Sequence, residues 1–146
     1  MVDMVSKEIL IQYADLQQEV KEIRQKIEKL ENQIAKIEEQ GAVKDKVRGG
    51  IGGLQSFQIE GFPYPEYSRK KTLLYARQAT LSELEMQLLE TLNKVEEFIS
   101  GISDSHTRRI VNLRVIEQLS WNKVADKMGG NNTEDSVRKA FDRFLE

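Results

Sequence analysis

Apolar residues recur along the first forty positions at Ile9, Tyr13, Leu16, Val20, Ile23, Ile27, Leu30, Ile34 and Ile37, in alternating steps of four and three. This is the heptad spacing of a coiled-coil seam, and it predicts one long helix over residues 5–40. Tyr13, Val20, Ile27 and Ile34 take the a sites, and Leu16, Ile23, Leu30 and Ile37 the d sites. Gly41 is the expected stop. Two partners fit the seam. A parallel copy would bring Glu19 near Arg24 and Lys26 near Glu31 across the interface, both attractive. The rival is a hairpin against a later helix of the same chain. Intermolecular pairing is the preferred expectation, which makes these eight residues candidates for oligomerisation.

The periodicity then breaks. Six of nine glycines and both prolines, Pro63 and Pro65, fall within residues 41–65. A flexible linker is expected over 41–71, with a basic cluster at Lys44, Lys46 and Arg48. The glycine pattern is neither a dinucleotide fingerprint nor a P-loop. Phe57, Ile59, Phe62, Tyr64 and Tyr67 are expected to dock over helix surfaces, as so many aromatics seek burial. Ser68 is a plausible cap for a second helix over 72–100. Its apolar stripe through Leu74, Leu81, Leu84, Leu88, Val95 and Phe98 is widened by Leu73, Leu89, Leu92 and Ile99.

Three short helices are expected in 103–146. The first follows Ser103 or Asp104 and buries Ile110, Leu113 and Ile116. The second follows a Ser120 cap, buries Trp121, Val124, Ala125 and Met128, and ends at Gly129–Gly130. The third starts near Thr133 and buries Val137, Ala140, Phe141 and Phe144. Small Ala125 allows a close crossing, and the glycine turn leads to a helix with a polar outer face, the layout of a helix-turn-helix. The N-terminal residues of such a second helix reach base edges. Asn131, Asn132, Thr133, Ser136 and Lys139 are therefore candidate groove residues, and Arg138 and Arg143 candidate phosphate contacts. The expected fold is all-α: a long N-terminal coiled-coil helix (1–40), the linker, and a second long helix continuous with a three-helix module (72–146). Val95, Phe98, Ile99 and Ile102 are expected to lend that small module core area.

LRVIEQLSWNKVADKMG, from Leu113 to Gly129, with SVRKAFDRFL from Ser136, resembles the region 4 helix-turn-helix of sigma factors. The layout is also similar to small phage and prophage regulators of the sigma-like and ArpU-like kind. The resemblance implies binding to double-stranded DNA, regulation of transcription and a possible contact with RNA polymerase. Lys123 stands where that family has glutamate, and the turn GGNNTED is about two residues longer. Nothing resembles the segment that melts promoters, so an accessory activator or repressor fits better than a stand-alone sigma factor. Two other readings stay open: a protein-binding adaptor that never touches DNA, and a packaging-type DNA-recognition subunit assembled as a ring.

Composition narrows the field. Lys plus Arg is 22 and Asp plus Glu 24, a net charge of −2 over 146 residues. By segment, 1–40, 41–71, 72–100 and 101–146 carry −3, +3, −3 and +1. One module would release few counterions, so single-copy DNA affinity is expected to be weak and dimerisation to raise it. With no cysteine there is no thiolate zinc site or thiol nucleophile, and a lone His106 supports neither metal binding nor a triad. No enzyme activity and no cofactor are expected. No run approaches a membrane span and no secretory signal opens the chain, so a cytoplasmic protein is expected, in the bacterial host if phage-encoded.

Overall fold

The structure, a computed structural model, describes residues 2–47 and 61–146, with side chains for 2–41 and 61–146. Every regular element among these is helical: α1 (Met4–Val47), α2 (Tyr64–Ser100), α3 (Ser105–Val111) running into a π-helical turn (Asn112–Ile116), α4 (Trp121–Met128) and α5 (Glu134–Leu145). None is long and apolar enough to cross a membrane. The chain divides into two compact units. A hairpin unit comprises Glu19–Glu85, and a terminal unit comprises Met1–Gln18 with Met86–Glu146.

In the hairpin unit, α1 and α2 run antiparallel. Ile27, Leu30, Ile34 and Leu74 form its core, flanked by Ile23, Tyr67 and Leu81. Polar rungs run beside this core: Arg24 bonds Glu85 at 3.3 Å, Lys70 donates to Gln33 at 3.0 Å, and the Tyr67 hydroxyl donates to Glu38 at 2.8 Å. The seam is covered within this chain, the hairpin alternative to pairing between copies. Val20, Ile27, Leu30, Ile34 and Ile37 are buried within one chain and Ile23 is half-buried, while Tyr13 and Leu16 are buried in the terminal unit. Arg24, expected to face Glu19 of another copy, is paired with Glu85 of its own. A tethered partner with a matching stripe meets the seam at a high effective concentration, which favours the intrachain solution.

Two helix boundaries also differ from expectation. α1 does not stop at Gly41. Glycine inside a helix costs only about 1 kcal/mol against alanine, and good helix formers follow it. Gly41 is buried, and a Cβ there would sit 2.6 Å from Phe62 Cε2, so the missing side chain makes room for that ring. α2 begins at Tyr64, not at 72, so Ser68 lies inside the helix. Proline is tolerated in a first turn because its missing N–H would have no intrahelical acceptor. The Tyr67 amide donates to the Pro63 carbonyl at 2.9 Å, closing that turn around Pro65. Phe62 packs on Tyr64 and Tyr67 at ring-centroid distances of 4.5 and 5.4 Å. The rest of the expected linker, with the Lys44, Lys46 and Arg48 side chains, Phe57 and Ile59, lies outside the described residues.

The terminal unit has two cores. One joins Leu10 and Tyr13 of α1 to Val95, Ile99 and Ile102 and to Val111 of α3, with Phe98, Phe141 and Phe144 against it. The second half of α2 therefore does supply core area to the C-terminal helices, and α1 supplies more. Burial pushes the Tyr13 phenol above its ordinary pKa, and nearby Glu96 adds to the effect. Leu73 and Leu89, counted in the widened α2 stripe, remain exposed.

Candidate nucleic-acid interface

The second core of the terminal unit organises α3 to α5. Ile110, Leu113, Val124, Ala125, Met128 and Val137 are buried together, with Leu119, Trp121, Ala140 and Phe141 against them. Adjacent residues of α3 serve different cores: Val111 faces the α1–α2 cluster and Ile110 faces this one. Ala125, 8% exposed, and Val124 and Val137, fully buried, lie where α4 and α5 pack. Trp121 and Ala140 are only half-buried.

Each helix start is capped by its own sequence. The Asp104 carboxylate accepts from the Thr107 amide at 3.1 Å and hydroxyl at 2.6 Å. Those bonds hold its carboxyl below the ordinary carboxylate range. A depressed folded pKa contributes stability above the unfolded value and loses it as pH falls through the folded one. Acidification below about pH 4 is therefore expected to weaken the start of α3. Asp104→Asn should flatten that part of a melting-temperature profile, and an unaltered profile would rule the cap out as its source. Ser120 Oγ accepts from the Lys123 amide at 3.3 Å. Thr133 and Ser136 form a reciprocal box: the Ser136 amide donates to Thr133 Oγ1 at 3.1 Å, and the Thr133 amide to Ser136 Oγ at 2.9 Å.

The turns between helices use backbone conformations that exclude ordinary helix. Gly129 and Gly130 take φ of 69° and 60°, and Asn132 Nδ2 donates to the Gly129 carbonyl at 2.7 Å. Before α4, Gln118 sits at φ 55°, left-handed and without glycine's freedom. Arg114 braces that turn by donating to the Leu119 carbonyl at 2.9 Å while its guanidinium lies 4.3 Å from the Trp121 ring centre. Arg109 donates to the Lys127 carbonyl at 3.2 Å, satisfying a backbone acceptor at the end of α4.

The seven expected DNA-facing residues all fall on the Gly129–α5 segment but divide by chemistry. Asn132, Thr133 and Ser136 spend polar atoms on the turn and cap. Arg138 and Lys139 are exposed, yet both pair with Asp135, at 2.7 and 2.9 Å. Lys139 foremost, with Arg138, holds the Asp135 carboxyl below its ordinary range. Asn131 and Arg143 are exposed. Arg143 has no side-chain hydrogen bond or ion pair among the described residues. Nor do Lys123 and Lys127, which lie four apart on one face of α4 and were not among the sequence candidates. Their i, i+4 spacing was a signal the sequence carried. No family model matches this chain, and no curated protein or solved structure matches it.

Proposed function

We propose that this chain is a sequence-specific double-stranded-DNA-binding regulator of transcription, in which α4, the Gly129–Gly130 turn and α5 act as a helix-turn-helix. The observation that carries this reading is the presentation of α5. Its inner residue Val137 is fully buried against α4, its start is fixed by the Thr133–Ser136 box, and Lys139, Arg138 and Arg143 stand exposed on its outer side. That is how a recognition helix offers side chains to a major groove. The resemblance to sigma region 4 supports the same reading. Arg143, Lys123 and Lys127, unpaired among the described residues, would supply phosphate contacts.

The reading does not use the heptad seam for oligomerisation, since α2 covers it. The Asp135 ion pairs favour a second reading, an adaptor that meets a protein such as RNA polymerase through a surface of balanced charge. Asp135→Asn separates the two. Duplex affinity should rise several-fold, and the dependence on salt should steepen by about one to two counterions as Arg138 and Lys139 are released. Lys139→Ala and Arg138→Ala should lower affinity and leave helical content unchanged. Fluorescence anisotropy on duplexes selected from a random pool measures all three, and no response to any of them would overturn the DNA reading in favour of the adaptor.

A further inference from the structure

The hairpin unit contains a groove that the proposed helix-turn-helix does not use. It lies between α1 and α2, has a volume of about 410 Å³, and draws Lys26 and Lys29 from α1 and Arg69, Lys70 and Arg77 from α2. None of the described residues that line it is a carboxylate. Lys70 is partly occupied, by Gln33 at 3.0 Å and Glu66 at 3.7 Å. The side chains of Lys26, Lys29, Arg69 and Arg77 make no hydrogen bond or ion pair among the described residues. Four unpaired cations around one groove repel one another and are stabilised by an anion placed among them. In a chain of net charge −2, that concentration of one sign is a local feature and not a consequence of composition.

We propose that this groove is a sequence-independent binding site for the phosphate backbone of a nucleic acid. Three features select that ligand. Arg69 and Arg77 lie two helical turns apart, roughly 12 Å along α2 at 1.5 Å per residue. That row is long enough to meet more than one phosphate of a nucleic-acid backbone. Guanidinium groups bind phosphate oxygens in bidentate fashion. Leu73, 42% exposed within the lining, offers an apolar surface that a sugar covers and a hydrated inorganic ion does not. The inference shares with the proposed function the premise that the chain binds nucleic acid, but it concerns different residues and a different kind of selectivity.

The test uses the full chain carrying Lys26→Gln, Lys29→Gln, Arg69→Gln and Arg77→Gln together. Glutamine has a helix propensity close to that of lysine and arginine, and no partnered group is lost, so the melting temperature should not fall and relief of the repulsion should raise it. Binding to a random-sequence duplex is followed against salt, beside wild type and Lys139→Ala. The groove variant is expected to lose tenfold or more in affinity at low salt, with the log–log slope shallower by about two to four. Lys139→Ala should keep most of that slope and lose preference for a selected sequence. An unchanged slope in the groove variant overturns the inference and leaves the helix-turn-helix reading standing. Loss of random-duplex binding in the groove variant, with Lys139→Ala and Arg138→Ala both binding a selected duplex like wild type, supports the groove and overturns the helix-turn-helix reading. Failure of the wild type to bind any duplex overturns both, as does for the groove a preference for anionic vesicles over duplex.

Discussion

Leu30→Ala is expected to destabilise the hairpin unit by about 2–5 kcal/mol, with a melting temperature independent of protein concentration. Leu30 is 5% exposed in the middle of the Ile27–Ile34–Leu74 core. Truncation removes its transfer free energy and leaves a cavity between two helices that can close only partly. Concentration is the informative variable. A seam shared between copies would make both wild type and variant melt higher as protein is added, because association is then part of folding. A seam covered by α2 of the same chain gives one melting temperature across a tenfold dilution series. Circular dichroism at two concentrations decides this, and a rise with concentration would return the heptad helix to an intermolecular role.

A loss of similar size is expected from Ile110→Ala, in the terminal unit. Ile110 is 1% exposed and touches the cluster that holds α3, α4 and α5 together. The expected cost is about 2–5 kcal/mol, a large part of what so small a core supplies. Trp121 reports the event, because its ring stands 5.2 Å from Phe141 and under the Arg114 guanidinium, in the same cluster. Its emission should shift at lower denaturant concentration than in wild type. Val111→Ala at the neighbouring position empties the other core, so a clear difference in the Trp121 signal between the two variants is also expected. Identical Trp121 behaviour would mean that the two clusters are one.

The contrast between local and distant interactions explains what was legible. Ser120, and Asp104 as one of two candidates, read as caps and Thr133 as a helix start because a cap joins residues three apart, and the backbone brings those together whatever the rest of the chain does. The Gly129–Gly130 turn and the buried positions Val124, Met128 and Val137 were readable for the same reason. The pairs of Asp135 with Arg138 and Lys139 were equally local. Their i, i+3 and i, i+4 spacing carries the signal, and it bears on the candidate interface more than any of the caps. Gly41 reads locally as a stop, but glycine is only a weak helix breaker, and the Phe62 ring that lies against it is distant in sequence.

The heptad spacing by itself determined that one face of α1 is buried from Tyr13 to Ile37. It could not determine against what, because an apolar stripe specifies a surface and not the identity of its partner. Only the tertiary structure decided that, by setting Leu74, Leu81 and Tyr67 against the seam in one unit and Val95 and Ile99 against Leu10 and Tyr13 in the other. The basic groove belongs to the same class. Lys26 and Lys29 are 40 to 51 residues from Arg69 and Arg77, and their charges combine only because an antiparallel pairing brings the two helices side by side.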